Sequence, residues 1–327
     1  MVASSQPMIS IITPCYNEEG NVERCAAEVK EVFESQLLDY DYEHIFCDNS
    51  SIDGTVEVLR HIAATDPHVK VIVNSRNVGP FRNIANGMRN VSGDLVVPMV
   101  PADVQDPPVV IPQMVRLLTP DLDVVYGIRG KRKEALPLRV GRRFYYGVLK
   151  LSGGTTPPAN AGEFMLVRRH LIESINAAGG SYPYIRGMVA QTNPRFATVT
   201  YPWGERTVGK SRNSIPDLFD QALNGIISTA RTPIRWALLL GMLLSVVGIV
   251  TAIVNLVLFL TGQTGAEQGV PTLIVATFFF GGLQLFFLGL IGEYVVSIHA
   301  SVRPEPPMYD RERINFGKPS DHPPAVG

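Results

Sequence analysis

Acidic and amide side chains recur after short apolar runs in the first third of this 327-residue chain. The run at residues 44–47, for example, leads directly into Asp48 and Asn49. The first four apolar runs, at residues 9–13, 44–47, 69–73 and 95–99, are followed by polar pairs: Asn17 and Glu18, Asp48 and Asn49, Arg76 and Asn77, and Asp103 and Asp106. Such groups bind ligands through hydrogen bonds and charge. Ordinary turns explain them singly but explain less well their recurrence after every run, so the pattern indicates a polar ligand site.

The elements that must position these residues alternate between strand-like and helical patterns of apolar residues. Short apolar runs at residues 9–13, 44–47, 69–73, 95–99 and 124–126 are typical of buried strands, and residues 22–33 and 55–64 have a helical pattern. Strands that alternate with helices predict a mostly parallel sheet with crossover helices. Ligands of such sheets bind beyond the carboxyl ends of the strands. The polar residues are therefore expected at one edge of a doubly wound α/β domain.

Composition and known motifs exclude several function classes. The net charge of −1 gives no indication of nucleic-acid binding. Three cysteines in the first fifty residues have no metal-ligand spacing, and their odd number argues against a disulfide framework. The sequence GxGxxG does not occur, which disfavours a dinucleotide site of that type.

Two apolar segments near the C-terminus are long enough to cross a membrane. Residues 236–266 and 270–292 contain no charged side chain, and a span needs about 20 apolar residues. A pair of buried core helices is the alternative. Basic residues flank the outer ends of the pair, at Lys210, Arg212, Arg231, Arg235, Arg303, Arg311 and Arg313, and the connector has none. This asymmetry predicts a multi-pass protein of the cell membrane with the catalytic domain and both termini in the cytoplasm.

Six motifs in order resemble those of one known family. Residues 10–19 (SIITPCYNEE), 48–55 (DNSSIDGT), 76–79 (RNVG), 103–108 (DVQDPP), 186–187 (RG) and 206–211 (RTVGKS) are similar to its PxYNE, DDGSxDGT, RNxG, DxDLQDPP, RG and RxxGxSK motifs. With the two apolar segments, they resemble glycosyltransferase family 2, which has a GT-A fold. Within that family the chain most resembles the polyprenyl-phosphate glycosyltransferases, which include dolichyl-phosphate mannose synthase and the bactoprenol glucosyltransferases.

The resemblance implies a donor site for a nucleotide-sugar, with uridine as the base by family habit. Donor-binding residues would be Pro14, Tyr16, Glu18, Asp48, Arg76, Asn77, Gly79, Asp103, Val104 and Gln105. Asp48 would bind the base or ribose, and a turn-capping Asp is the alternative. Asp53 precedes a helix, and for this residue we favour a structural, capping role.

The resemblance also implies a Mg²⁺ or Mn²⁺ cofactor at the donor diphosphate. Asp103 would be the main ligand, with Asp106 as a second ligand or water in its place. The chain departs from the family here, because Pro101 replaces the first Asp of DxD and Asn49 replaces the second Asp of DDGS. These replacements leave the full ligand set open.

In addition to Asp103, three further residues are candidates for catalysis. Glu163 lies in a stretch similar to DFxLxxR and would act as a base or orient donor hydroxyls; a phosphate acceptor, already anionic near pH 7, needs no strong base. Arg206 and Lys210 would contact a phosphate of the acceptor or of the leaving diphosphate. A basic pair facing solvent or lipid headgroups is the alternative for these two.

A basic and aromatic segment predicts an interfacial helix at about residues 135–151. It belongs to a cluster that contains Arg129, Lys131, Arg132, Lys133, Arg139, Arg142, Arg143 and Lys150. Of these, Arg139, Arg142 and Arg143, with Arg206 and Lys210, would meet the acceptor and the membrane interface. A second helix at residues 215–229 fits an interfacial or a core position equally well.

These observations predict four parts: a GT-A domain at residues 1–213, a juxtamembrane amphipathic helix at 214–232, two transmembrane helices at 233–298, and a cytoplasmic tail at 299–327. The expected activity is inverting transfer of a sugar to a polyprenyl phosphate lipid. A transferase with another lipid or glycan acceptor and a membrane-anchored binding or scaffold protein that has lost activity are the alternatives. Nucleic acid is not an expected partner, and a homo-oligomer stays open.

Overall fold

The computed structural model describes residues 6–130, 157–158, 161–178, 185–202, 232–261, 270–302 and 309–316. The chain divides into two compact units. The first comprises Met1–Arg139, Thr155–Asn213 and Glu305–Gly327, and the second comprises Val140–Gly154 and Ser214–Pro304. The predicted interfacial helix at residues 135–151 and the predicted helix at 215–229 lie outside the described residues.

The first unit is built on an eight-stranded sheet. Its strands are β1 (Met8–Cys15), β2 (Asp41–Asp48), β3 (Val69–Asn74), β4 (Leu95–Val97), β5 (Val124–Arg129), β6 (Ala161–Arg168), β7 (Phe196–Tyr201) and β8 (Asp310–Ile314). They lie in the order β7-β5-β6-β4-β1-β2-β3-β8. Strands β4, β1, β2 and β3 are parallel neighbours, as are β5 and β7, whereas β6 and β8 run antiparallel to their neighbours. The five predicted strands and the mostly parallel sheet are confirmed.

Helices on both faces of the sheet bury one side each. They are α1 (Val22–Gln36), α2 (Thr55–Thr65), α3 (Pro80–Met88), α4 (Ile111–Leu117, after the 3₁₀ turn Pro108–Val110), α5 (Arg169–Ala178) and α6 (Ile185–Gln191). In α1 the buried residues Val22, Cys25, Val29 and Val32 recur at helical spacing. One core cluster contains this face with alternate residues of the strands, and a second contains α3, α5 and the opposite strand faces.

Because the strands β1 to β4 are parallel, the loops that leave them share one edge of the sheet. Helix α3 packs tightly there: a Cβ at Gly87 would lie 2.7 Å from Cγ2 of Ile12 and 2.8 Å from Sγ of Cys47. Close packing of α3 on β1 and β2 holds the start of the helix, at Gly79 and Pro80, beside the loop ends.

The second unit contains two long apolar helices, α7 (Thr232–Leu260) and α8 (Val270–Val302). Within α8, the 18 residues Phe279–Val296 have a mean hydropathy of 1.6, and none of that window is buried. This is the one stretch among the described residues that is long and apolar enough to cross a membrane. The exposure of this window among the described residues argues against a buried core helix there.

The segment that we predict as a cytoplasmic tail, residues 299–327, contains a strand. Its residues Asp310–Ile314 form β8, the edge strand that pairs with β3. The physical reason is main-chain hydrogen bonding: β3 would otherwise present an unpaired edge.

Candidate active site

The loops after β1 and β2 are joined by reciprocal hydrogen bonds. The Asn17 amide N–H donates to Oγ of Ser51 at 2.9 Å, and Oδ1 of Asn17 accepts from the Ile52 amide at 3.0 Å. Asn17 and Ser50 both have positive φ, 57° and 64°. Non-glycine residues in this conformation cluster at functional sites, where the surrounding contacts hold them. Two predicted donor-binding residues are half-buried here, Pro14 near the end of β1 and Tyr16 in the loop that follows it.

Glu18 and Asp53 hold the entry to the first two helices. The Glu18 carboxylate accepts from Nδ2 of Asn21 at 2.6 Å, and its amide donates to Oγ1 of Thr55. Asp53 accepts from the amide and the hydroxyl of Thr55, the first residue of α2. These two bonds hold the start of α2, whose N-cap is Gly54, and they are compatible with the structural role that we favour for Asp53.

Asp48 is fully buried at the end of β2. Its Oδ2 accepts from the Ser51 amide at 2.9 Å, and its Oδ1 accepts from Oγ of Ser51 at 2.5 Å. Burial raises the pKa of Asp48, while the Ser51 and Ser50 hydrogen bonds and the positive charge of Arg311 act in the opposite direction. Asp48 thus caps its own turn. An ionised carboxylate has about four acceptor positions, so capping leaves capacity for a ligand.

The loop after β3 is tied to the loop after β2 through Asn49. Nδ2 of Asn49 donates to Oδ1 of Asn77 at 2.8 Å, and Oδ1 of Asn49 accepts from the Val78 amide at 2.9 Å. Gly79 has φ 85° and precedes α3, which favours glycine at that position. Arg76 is exposed on this loop. Asn49, where the family has an acid, therefore links two loops and neutralises no charge.

Asp103 lies in the loop after β4 and is 6% exposed. The next residue, Val104, has φ 57°, a rare conformation for a β-branched residue. The Arg24 side chain donates to the Asp103 carbonyl at 2.8 Å, and the Gln105 amide donates to Oδ1 of Asp103 at 3.3 Å. These contacts hold the DVQ segment, with Val104 buried and Gln105 half-buried, in a strained turn at the edge of the sheet where the loops after β1 to β4 lie.

Asp106 occupies a different setting from Asp103. It is fully buried, and its two oxygens accept from Nε and Nη2 of Arg129 at 2.9 and 2.6 Å. Tyr201 donates its hydroxyl to Oδ1 at 2.6 Å. Arg129, which the sequence places in a basic cluster, is the last residue of β5. Asp106 therefore joins the loop after β4 to β5 and β7, an arrangement that leaves Asp103 as the more accessible candidate metal ligand.

The donor set fits a cation that is shared with a substrate. Among the described residues, no group of three or more His, Cys, Asp or Glu side chains could hold a metal ion. Mg²⁺ is commonly held by one or two carboxylates together with phosphates and water. The single carboxylate of Asp103 fits that pattern. The described residues do not form a site made of protein ligands alone.

Glu163 lies in β6 beside Arg186 of α6. Its Oε2 accepts from the Arg186 amide at 2.9 Å, and Oε1 is 3.9 Å from Nε of Arg186. Burial raises the pKa of Glu163, although the positive charge of Arg186 opposes this. Arg186 also donates to the Ala161 carbonyl. The predicted RG motif and the predicted acid are thus in contact.

The other predicted residues cannot be compared with the structure. Arg139, Arg142, Arg143, Arg206 and Lys210 lie outside the described residues. Sequence reasoning missed Arg24, Tyr201 and the role of Arg129. Tyr201 and Arg129 lie 95 and 23 residues from Asp106, and only the strand order brings them together.

Comparisons with known proteins agree with this geometry. Residues 10–175 match the model of Glycosyl transferase family 2. The chain is 30% identical to an uncharacterized glycosyltransferase of Bacillus subtilis, YkcC, over 91% of each chain. It is also 30% identical, over 91% of each chain, to an undecaprenyl-phosphate 4-deoxy-4-formamido-L-arabinose transferase of Yersinia enterocolitica.

A solved structure supports the fold. It is glucosyl-3-phosphoglycerate synthase from Mycobacterium tuberculosis, in complex with Mn²⁺, uridine-diphosphate and phosphoglyceric acid. The two share 19% sequence identity and a TM-score of 0.50, over 68% of this chain and 76% of that one. At this identity the likeness establishes the GT-A-type fold alone.

Proposed function

The chain belongs to glycosyl transferase family 2 and is a glycosyltransferase; on that premise, we propose that it transfers a sugar from a uridine-diphosphate sugar to polyprenyl phosphate. The observation that carries the proposal is the shared edge of β1 to β4, where Asp48 and Asp103 lie among hydrogen-bonded loops. An undecaprenyl-phosphate transferase that matches nearly the whole chain supports the acceptor class.

The nucleotide would lie across the loops after β1, β2 and β3. Asp48 would accept from a base N–H or from ribose hydroxyls, with Pro14, Tyr16 and Glu18 around it. Arg76, Asn77 and Gly79 would line the third loop. The reciprocal bonds between Asn17 and Ser51, and between Asn49 and Asn77, support a preformed site, because they fix these loops before a ligand arrives.

Asp103 would hold Mg²⁺ or Mn²⁺ against the donor diphosphate, with Val104 and Gln105 beside it. A bound divalent cation would neutralise charge on the departing nucleoside diphosphate. Asp106, committed to Arg129 and Tyr201, would hold the Asp103 loop in place. This gives the two acids of the DVQD segment different roles.

The reaction is a displacement at the anomeric carbon with inversion. An oxygen of the acceptor phosphate monoester forms the new C–O bond, and the bond to the nucleoside diphosphate breaks with its electron pair on the leaving oxygen. The acceptor phosphate is anionic near neutral pH, since its second pKa is about 6, so no strong base is required. Glu163, fixed by Arg186, would orient donor hydroxyls.

The membrane would bring the acceptor to this site. Helix α8, and α7 as a second span, would anchor the chain with the catalytic unit in the cytoplasm. Arg206 and Lys210 would contact a phosphate, and Arg139, Arg142 and Arg143 would meet headgroups at the interface. A long lipid tail would then stay in the bilayer while its phosphate reaches the donor.

The test uses full-length protein in detergent, polyprenyl phosphate and a panel of radiolabelled nucleotide sugars, with and without Mn²⁺. We expect label in the lipid phase with a uridine-diphosphate sugar, dependence on Mn²⁺ or Mg²⁺, and strong loss in Asp103→Asn. The matched control is Asp39→Asn, an exposed acid, which should keep full activity. Donor binding without lipid product from any donor would favour the inactive binding protein, which the replacement of Asp by Pro101 suggests.

A further inference from the structure

The C-terminal strand β8 reaches the same edge of the sheet as the donor loops. It runs antiparallel to β3, so that it begins where β3 ends. The Ser75 amide donates to the Tyr309 carbonyl at 2.9 Å, and Asp310 is the register partner of Asn74. The residues that follow β3 here lead directly into Arg76 and Asn77. The first residues of β8 therefore lie next to the loop after β3, which is the third of the loops proposed to bind the donor.

Side-chain contacts fix β8 in this position. Nδ2 of Asn86 donates to Oδ1 of Asp310 at 2.7 Å and to Oδ1 of Asn74 at 2.9 Å. Farther along the strand, Glu312 accepts from Nε and Nη2 of Arg60 in α2, at 3.0 and 2.6 Å. A strand held by two helices and by β3 is a built part of the catalytic unit.

Arg311 is the extra residue of a β-bulge. Val73 pairs with Glu312 whereas Asn74 pairs with Asp310, so the register shifts at Arg311. A bulge turns a side chain away from the regular alternation and recurs next to active sites. The Arg311 side chain is exposed, and its charge acts on buried Asp48 at the end of β2, in the direction that favours the carboxylate.

The arginines nearest to it on β8 and on α2 have carboxylate partners. Arg313 donates to Oδ2 of Asp310 at 2.7 Å, and Arg60 is paired with Glu312. Within the part of the chain that the structure describes, Arg311 forms no ion pair. An exposed guanidinium beside a polar edge, with its donors available, suits an anionic ligand.

We propose that Arg311 is a donor-binding residue, and that the strand after the last apolar helix thereby completes the site for the nucleoside diphosphate. This inference rests on the proposed function. It places a cation from β8 next to the loop after β3, at the opposite end of the strand order β4-β1-β2-β3-β8 from Asp103, which follows β4. Removal of Arg311 therefore weakens donor binding and leaves acceptor binding intact.

The experiment measures the affinity of full-length protein for uridine diphosphate with Mn²⁺, by calorimetry in detergent. We expect Arg311→Ala to weaken binding about tenfold or more, as for one charge-assisted hydrogen-bonded contact. Arg311→Lys should recover part of the loss, and the loss should shrink at high salt. The matched control is Arg89→Ala, an exposed arginine at the far end of α3, which should bind as the unaltered protein does.

Kinetics separate this role from a structural one. Arg311→Ala should raise KM for the nucleotide sugar by a similar factor without changing KM for polyprenyl phosphate or the melting temperature. Equal affinity in Arg311→Ala and the unaltered protein would overturn the inference, as would a change confined to KM for the lipid, which would indicate a headgroup contact. If the unaltered protein binds no nucleoside diphosphate, the proposed function itself fails.

Discussion

Replacing Asp106 with Asn should destabilise the catalytic unit without abolishing its metal site. The carboxylate is fully buried and accepts three hydrogen bonds, two from Arg129 and one from Tyr201. An Asn there keeps one acceptor, but its amide nitrogen would face the Arg129 donors. The change therefore removes the negative charge that Asp106 places against the partly buried Arg129 guanidinium.

The expected cost follows from the geometry. Breaking a buried ion pair by removing one partner costs about 3–5 kcal/mol. The Arg129 side chain is 36% exposed, so water recovers part of its solvation, and we expect the lower end, about 3 kcal/mol. For a unit of this size, 1 kcal/mol corresponds to about 2–4 °C in melting temperature. Asp106→Asn should therefore lower the melting temperature by about 6–12 °C.

The assay compares Asp106→Asn with Asp103→Asn in full-length protein in detergent. Thermal unfolding is measured with and without Mn²⁺ and uridine diphosphate. Asp103→Asn should unfold as the unaltered protein does without ligand, and should lose the stabilisation that Mn²⁺ with nucleotide provides. Asp106→Asn should melt lower in both conditions and keep that stabilisation. An unchanged melting temperature in Asp106→Asn, together with lost Mn²⁺ dependence, would show that Asp106 is a metal ligand and would refute this reasoning.

Three further predictions concern single groups. Glu163→Gln should lower kcat about 10- to 100-fold, as expected for one hydrogen bond to a charged group. The acid limb of the pH–rate profile should stay, because ionisation of the acceptor phosphate sets it. Loss of that limb in Glu163→Gln would identify Glu163 as a base. Burial raises the pKa of Glu43, but hydrogen bonds from Lys70, Ser10 and Ser92 bring it below its ordinary value of 4.5. The stability that ionised Glu43 contributes is therefore fully present above pH 4.5 and is lost as the pH falls through the lower folded-state pKa. Glu43→Gln should flatten this part of an acid-unfolding curve. An unchanged slope in Glu43→Gln would contradict this role of Glu43. Gly87→Ala places a methyl group against Ile12 and Cys47 and should cost about 1–3 kcal/mol in urea unfolding, whereas no loss would show that α3 can shift.

The central part of the fold could be predicted because burial leaves a readable pattern. Strands β1 to β5 are apolar runs followed by polar loops, and their parallel order brings the loops together. Strand β8 could not be recognised, because its sequence DRERI has four charged residues in five. An edge strand tolerates such a sequence, since one side faces solvent.

The candidate site was predictable where a loop carries its own signal. Asp48 and Asp103 stand out by their place after a strand. Arg129 and Arg311 do not, because each depends on a strand pairing that local sequence does not encode. The sequence pattern places Arg129 in a basic cluster, whereas in the structure its guanidinium pairs with Asp106. Residues whose position depends on strands distant in sequence are the ones that local patterns miss.

The most direct test of the central claim is the mass of the lipid product. Full-length protein is incubated with polyprenyl phosphate, Mn²⁺ and its best nucleotide sugar, and the organic phase is analysed by mass spectrometry. We expect polyprenyl phosphate heavier by one sugar residue, with the anomeric configuration opposite to that of the donor. Unchanged polyprenyl phosphate while the sugar is transferred to another acceptor, or a product with retained configuration, would contradict it.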